Sequence, residues 1–185
     1  MARFLLVSGS VRSGSSNTAA LRTALTVLPE GVEGKLYDGI AGLPHFNPDD
    51  DAEGAVVPEA VAEMRREIAA ADALLICTPE YAGAMPAVLK NLLEWTIGDA
   101  GTYGKPVAWI NVSGPAAPTG GADAHDSLGK VLRYAGADIV DGACARIPLT
   151  RQQIGPDGLV TDEAAVTQLQ QALAKLGGHV RSKAG

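Results

Sequence analysis

One stretch near the N-terminus constrains the fold more than any other: Leu5-Leu6-Val7-Ser8-Gly9-Ser10-Val11-Arg12-Ser13-Gly14-Ser15-Ser16-Asn17. A short apolar run ends in a Gly/Ser loop with one arginine and then opens into an apolar-periodic helix. A chain that begins strand, tight loop, helix is committed to packing that helix back on a sheet. The loop is also built for an anion. Ser10, Ser13, Ser15 and Ser16 supply hydroxyls, and Arg12 supplies a fixed charge on a planar fork of donors. Gly9 and Gly14 let the backbone turn sharply and approach a ligand. The free N–H groups and positive dipole end of the following helix face the same point. A terminal phosphate fits this set. The plain alternative is a Ser/Gly-rich turn with Asn17 as a helix cap.

The loop departs from two nucleotide-binding loops in specific ways. Gly9 and Gly14 have Walker spacing, but Ser15 stands where the lysine must be, so a triphosphate would lose its main counter-charge. In a dinucleotide fingerprint Val11 occupies the middle glycine, where a side chain blocks the pyrophosphate. Asp38 lies at a distance suited to a ribose, but an aspartate at a strand end is common in turns. The loop holds no cysteine, which excludes a cysteine-dependent phosphatase of low molecular weight.

Length and charge narrow the class. A chain of 185 residues makes one domain with a sizeable core. A net charge of -6 without a basic stripe argues against nucleic acid and against an anionic membrane surface. No apolar run approaches the roughly 20 residues of a membrane-spanning helix. Phe4 to Val7 is too short for a secretion signal, so the cytoplasm is the expected compartment. Cys77 and Cys144 fall in predicted strands and read as small buried hydrophobes. His45, His125 and His179 lack ligand spacing, so no metal site is expected. The run Asp49-Asp50-Asp51 lacks the pattern of a calcium loop and reads as a solvated surface loop.

Apolar runs alternate with helical patterns along the chain. Strands are predicted over 3–8, 34–37, 73–77, 106–112 and 138–147, and helices over 17–28, 58–71, 85–97, 124–134 and 162–176. A long Gly/Pro/Asp-rich loop spans 38–58. Five strands alternating with five helices predict an α/β fold, a parallel sheet covered on both faces. Residues 1–177 are expected to form a single domain and 178–185 a loose tail. Ligands in such folds bind beyond the carboxyl ends of the strands. Three loops of unusual content leave those ends: 9–16, 78–85 and 113–121.

The second loop reads Thr78-Pro79-Glu80-Tyr81-Ala82-Gly83-Ala84-Met85-Pro86. Its small residues leave room for a flat ligand on the backbone, whose N–H groups suit the acceptors of a heterocycle. Two motifs now combine: G-S-x-R-x-x-S-x-N over Gly9–Asn17, and T-P-E-Y over Thr78–Tyr81 followed by P-x-x-L-K-N over Pro86–Asn91. Together they resemble the NADPH-dependent FMN reductase family, whose members include quinone, azo-dye and chromate reductases. The resemblance runs through nearly the whole chain, including Leu43-Pro44 and Asn47-Pro48.

The resemblance implies a three-layer, flavodoxin-like, doubly wound sheet of order 2-1-3-4-5. It implies FMN as cofactor and NADPH or NADH as co-substrate. On that basis Ser10, Arg12, Ser15, Ser16 and Asn17 would hold the phosphate. Pro79, Glu80, Tyr81, Ala82 and Gly83 would line the isoalloxazine, and Ser113 and Gly114 would begin a third loop around it. Where many relatives carry Asn after the Tyr and Ser two further on, this chain has Ala82 and Ala84. Backbone contacts survive that change; side-chain contacts do not. Hydride would pass from the nicotinamide to the flavin and on to a quinone, azo compound, metal ion or free flavin. No side chain is required as a catalytic acid or base; Glu80 is tempting as a catalytic carboxylate, but the more cautious reading is structural or as half of an ion pair across a subunit interface. A homodimer or homotetramer is the family-level expectation, with Leu89, Leu92, Leu93 and Trp95 either at a subunit contact or covering the sheet. An FMN electron carrier and a slow FMN redox sensor remain the alternatives. A carrier would flank its flavin with aromatic rings, and only 4% of this chain is aromatic.

Overall fold

In a computed structural model, which describes residues 1–114 and 117–184, six strands form one parallel sheet. Strands β1 (Ala2–Ser8), β2 (Val32–Tyr37), β3 (Ala73–Cys77) and β4 (Pro106–Ser113) are followed by β5 (Asp138–Ile139) and β6 (Ala145–Pro148). The order is β2-β1-β3-β4-β5, with β6 also paired to β4. Register aligns Val7 with Tyr37, Ser8 with Cys77 and Cys77 with Ile110. The carboxyl ends of the strands therefore share one edge. The topology reverses between β1 and β3, where a ligand crevice opens in doubly wound folds.

The apolar runs are continuous because both faces of the sheet are covered. Along β1, Phe4 and Leu6 pack with α1 (Ser16–Thr26) and α5 (Glu163–Ala184). Leu5 and Val7 pack with α2 (Glu59–Ala69), α3 (Ala87–Trp95) and α4 (Ala122–Tyr134). Leu75 and Ala108 belong to the first layer, Leu74, Ile76 and Val107 to the second.

Five points that the sequence reading misplaced or left open are decided by the structure, each for an identifiable cause. The strand expected over 138–147 is broken by a 3-10 turn at Asp141–Ala143. The register moves from Val107↔Ile139 to Ile110↔Ala145, so three steps along β4 are matched by six along its neighbour. The Asp141-Gly142 pair is a turn-forming dipeptide, and its signal was outweighed by the flanking apolar residues. Cys144 consequently lies just outside a strand and is only half-buried.

Residues expected to trail loosely after Gly177 instead continue α5 to Ala184. Asp138 secures that last part, meeting His179 Nε2 at 2.6 Å and the Lys183 ammonium. Leu89, Leu92, Leu93 and Trp95 are at most 2% exposed and cover the sheet, the second of the two roles the sequence left open to them. The acidic run is split in role. Asp49 and Asp50 face solvent, whereas Asp51 is largely buried and accepts from Arg65 Nη2 at 2.7 Å. Finally, α1 is capped by Ser15, whose Oγ accepts from Asn17 N at 3.2 Å; Asn17 is not the cap.

Candidate functional site

The first loop is shaped by bonds over short sequence distances. Ser8 Oγ and Thr18 Oγ1 lie 3.0 Å apart, and Ser10 Oγ accepts from Arg12 N at 3.4 Å. Gly14 takes φ 65°, a left-handed turn that suits glycine. Gly9 lets the loop lie against β3 and α3: a Cβ there would stand 3.2 Å from Leu89 Cδ2 and 3.4 Å from the Cys77 carbonyl. The side chain of Asn17 turns inward, and its Oδ1 accepts from Cys77 Sγ at 3.2 Å. Burial pushes the Cys77 thiol up, so it stays protonated and serves as that donor.

The second loop makes a two-residue turn. Tyr81 N donates to the Ala84 carbonyl at 2.9 Å, and Ala84 N donates back to the Tyr81 carbonyl at 3.1 Å. Both central residues have positive φ, 52° at Ala82 and 72° at Gly83. That is the geometry of a type I′ turn, for which Asn-Gly is the favoured pair. The N–H groups of Ala82 and Gly83 take no partner among the described residues.

Between these loops lies a cleft of about 580 Å³, within the size range of cofactor pockets. Its wall brings together Ser10, Arg12, Ser15, Ser16 and Asn17 of the first loop, Pro79 and Tyr81 of the second, and Gly114 after β4. Four sequence-predicted residues are off the wall. Ala82 and Gly83 stand exposed at the turn tip beside it. Ser113 pairs with Pro148, and its carbonyl accepts from Leu149 N at 3.1 Å. Glu80 turns its carboxylate toward Thr119 and Ala124. Pro115 and Ala116 of the expected third loop lie outside the described residues.

Sequence reasoning missed five wall residues: Val112, Leu149, Thr150, Arg151 and Gln152. Four belong to the connection after β6. A signal was present in Thr150-x-x-Gln153, a capping-box spacing. In the structure Thr150 N and Oγ1 both donate to Gln153 Oε1, at 2.8 and 2.9 Å. Arg12 and Arg151 have no acidic partner among the described residues, so the cleft carries two uncompensated positive charges. This occurs in a protein whose net charge is -6. Hydroxyls, the Arg12 guanidinium and a helix N-terminus at one end, with a flat backbone turn at the other, match a ligand that is anionic at one end and planar at the other.

Other charged and aromatic groups support the scaffold. Asn91 Nδ2 donates to the Pro44 carbonyl at 2.9 Å and Asn91 Oδ1 accepts from Phe46 N at 2.8 Å, so this motif residue holds the loop after β2. Trp95 Nε1 donates to the same Pro44 carbonyl at 2.9 Å. His125 on α4 is held neutral, its pKa lowered to about 4 by burial and then by Arg146.

The family described as NADPH-dependent FMN reductase matches residues 2–148. An NAD(P)H-dependent FMN reductase of Pseudomonas aeruginosa is 36% identical over 185 residues, covering 99% of this chain and 97% of its own. A 2-hydroxy-1,4-benzoquinone reductase of a Burkholderia species is 32% identical, covering 98% and 97%. Among solved structures, the NAD(P)H:acceptor oxidoreductase FerB of Paracoccus denitrificans superposes with a TM-score of 0.82 at 31% identity, covering 98% of both chains. With the family match, these full-length likenesses and the cleft at the switch point, the chain belongs to the NADPH-dependent FMN reductase family.

Proposed function

We propose that the cleft is the FMN site of an NAD(P)H-dependent oxidoreductase that delivers electrons to quinones or similar small acceptors. Family membership makes the protein a flavin oxidoreductase with NAD(P)H as co-substrate. The observation that carries the site assignment is the convergence of Ser10, Arg12, Ser15, Ser16 and Asn17 with Pro79 and Tyr81 on one cleft. The residues fit the cofactor on their own chemistry. Arg12 and the α1 N-terminus suit a dianionic phosphate. The free N–H groups of Ala82 and Gly83 suit the carbonyl and ring-nitrogen acceptors of a pyrimidine ring. FMN, when bound, supplies the hydride acceptor and the electron store.

The chain's own work is to bind and orient. Pro79, Tyr81 and Thr150 to Gln152 all line the cleft in which the flat ligand would lie. Glu80 does not reach the wall, and no titratable side chain is needed to move a proton. Tyr81 is the only aromatic residue among those lining the cleft and is 52% exposed. Such a site lacks the flanking rings of an electron carrier and leaves a face open for a nicotinamide and then an acceptor. Arg151 adds a second charge for a phosphate of either nucleotide.

The same reading includes a homo-oligomer and a cytoplasmic site of action. The groove between α3 and α4 supports the first. It encloses about 720 Å³, bordered by Leu93, Ile97, Val131 and Tyr134, with Lys130 and Arg133 at its rim. Tyr134 is 87% exposed, unusual for a large apolar ring. Light scattering of the parent and Tyr134→Glu checks it: a mass of one chain in both would sink the homo-oligomer. Two free cysteines, Cys77 and Cys144, support a reducing compartment.

The deciding experiment is an absorbance spectrum of protein reconstituted with FMN, before and after anaerobic NADPH, followed by benzoquinone. Bleaching by NADPH and recovery on adding the quinone are expected. Bound flavin that neither NADPH nor NADH reduces would favour a carrier. Absence of flavin binding would remove the site assignment.

A further inference from the structure

Helix α4 starts at Gly121 in a left-handed conformation, φ 85°, and no side chain of its own first turn caps it. A helix that opens this way leaves backbone N–H groups to be satisfied from elsewhere. They are satisfied from the second loop. Glu80 Oε2 accepts from Ala124 N at 3.2 Å, and Glu80 Oε1 accepts from Thr119 Oγ1. A carboxylate at this position also faces the positive end of the helix dipole. Thr119 is fixed from behind, its carbonyl accepting from Arg146 Nη1 at 3.3 Å.

The same loop is tied at both of its ends. At its entry, Asn111 Nδ2 donates to the Thr78 carbonyl at 2.7 Å. The other side of that amide, Asn111 Oδ1, is buried without a partner and lies where a Cβ on Gly121 would come within 2.1 Å. At its exit, Met85 N donates to Ser127 Oγ at 2.8 Å. Between these ties sits the Tyr81–Ala84 turn, with Ala82 in a backbone region that side-chain-bearing residues rarely adopt. A strained turn persists only where its surroundings over-determine it.

We propose that Glu80 is a positioning residue: it caps α4 from the second loop, and that bond holds the Tyr81–Ala84 turn in the form that serves the flavin cleft. The role takes the place of a direct cofactor contact for Glu80. It rests on the reading of the cleft as the FMN site. Loss of the carboxylate then acts on FMN through the turn, and loss of its partner Thr119, well away from the second loop in sequence, acts in the same way.

The test uses Glu80→Ala, Glu80→Gln, Thr119→Val and the Glu80→Ala/Thr119→Val double variant of the full chain. Hydrogen exchange of the backbone amides of 81–84 and 122–125 is read in flavin-free protein, and FMN affinity by fluorescence titration. Glu80→Ala and Thr119→Val should each speed exchange in both segments and weaken FMN, by about 10-fold for Glu80→Ala. The double variant should be no worse than Glu80→Ala, because the two side chains share one interaction. Glu80→Gln, which keeps an acceptor, should fall between parent and Glu80→Ala. Parental exchange rates in Glu80→Ala would overturn the proposal. So would an FMN affinity lowered by Glu80→Ala but untouched by Thr119→Val, which would mark a direct contact. Should the parent fail to bind FMN, the site reading falls, and the exchange rates still decide whether Glu80 holds the turn.

Discussion

The two loops that form the cleft differ in how far along the chain their side-chain partners lie. In the first, most of the side-chain bonds that shape it join residues 2 to 10 positions apart, Arg12 N to Ser10 Oγ, Asn17 N to Ser15 Oγ and Ser8 Oγ to Thr18 Oγ1, with one remote tie from Cys77 Sγ to Asn17 Oδ1. In the second, the partners of Thr78, Glu80 and Met85 lie 33 to 44 positions away, on β4, on α4 and just before it. A loop shaped mainly by its own residues can lose a ligand contact and keep its form. A loop shaped by remote partners can be altered from places that never touch the ligand.

The largest expected effect is at such a remote place. Gly121→Ala puts a Cβ 2.1 Å from Asn111 Oδ1 and forces a left-handed φ on a residue that resists it. A destabilisation of about 3 kcal/mol is expected from strain and overpacking together. Urea unfolding measures it; a change under about 0.5 kcal/mol would mean that α4 and Asn111 adjust freely.

Arg12→Ala probes the first loop from the opposite side. FMN binding should weaken by ~1.5–3 kcal/mol, the range for a charged hydrogen bond, while the urea midpoint of the flavin-free protein stays put. Unchanged FMN affinity would remove Arg12 from the phosphate site. A shifted midpoint would show that the first loop is not independent of the fold.

Ser15→Ala is expected to cost about 1 kcal/mol of stability by removing the α1 cap. Faster hydrogen exchange should be confined to the first turn of α1. Spread of that effect into 78–85 would break the contrast between the loops. Ala82→Gly should work in the other direction. Relief of the left-handed strain, about 1–2 kcal/mol, exceeds the added entropy of glycine in the unfolded chain, about 0.5–1 kcal/mol. A net gain of about 0.5–1 kcal/mol in thermal or urea unfolding is expected; a loss would show that the turn carries no strain at Ala82.

The subtlest effect is one of pH. His125 is neutral in the folded protein down to about 4, chiefly through burial and then through Arg146, with Asp126 opposing. Unfolded, it takes up a proton near 6.5. Between those values the unfolded state binds more protons, so this contribution to stability is full above about 6.5 and is lost as pH falls toward 4. His125→Phe should flatten the stability profile across that window. An unchanged slope would assign the acid sensitivity to other groups.

Much of this was legible in the residue order, and the exceptions share a cause. Apolar runs gave β1 and β3 nearly to the residue, since a strand buried on both faces has no polar interruption. The break at Asp141–Ala143 was hidden because a single turn dipeptide sits within apolar surroundings. The helical character of 177–184 was hidden because Gly177 and Gly178 weaken it locally, while Asp138, 41 residues from His179, restores it. Asn91 stood out only as the last residue of the P-x-x-L-K-N family motif, and in the structure it holds the Pro44–Phe46 segment.

For this protein, local order alone determined the strand–loop–helix start, the alternation that makes a doubly wound sheet, and the family to which the motifs belong. The first two follow from interactions within a few residues or from a periodicity of two or 3.6 along the chain, and the third rests on the resemblance carried by two short motifs. Only the tertiary structure decided which charges were left for a ligand. It brought Arg151 to the same cleft as Arg12, buried Asp51 against Arg65, and turned Glu80 from the cleft to the start of α4. Those outcomes depend on partners tens of residues apart, and sequence spacing carries no information on which of many donors will meet a given carboxylate in the folded chain.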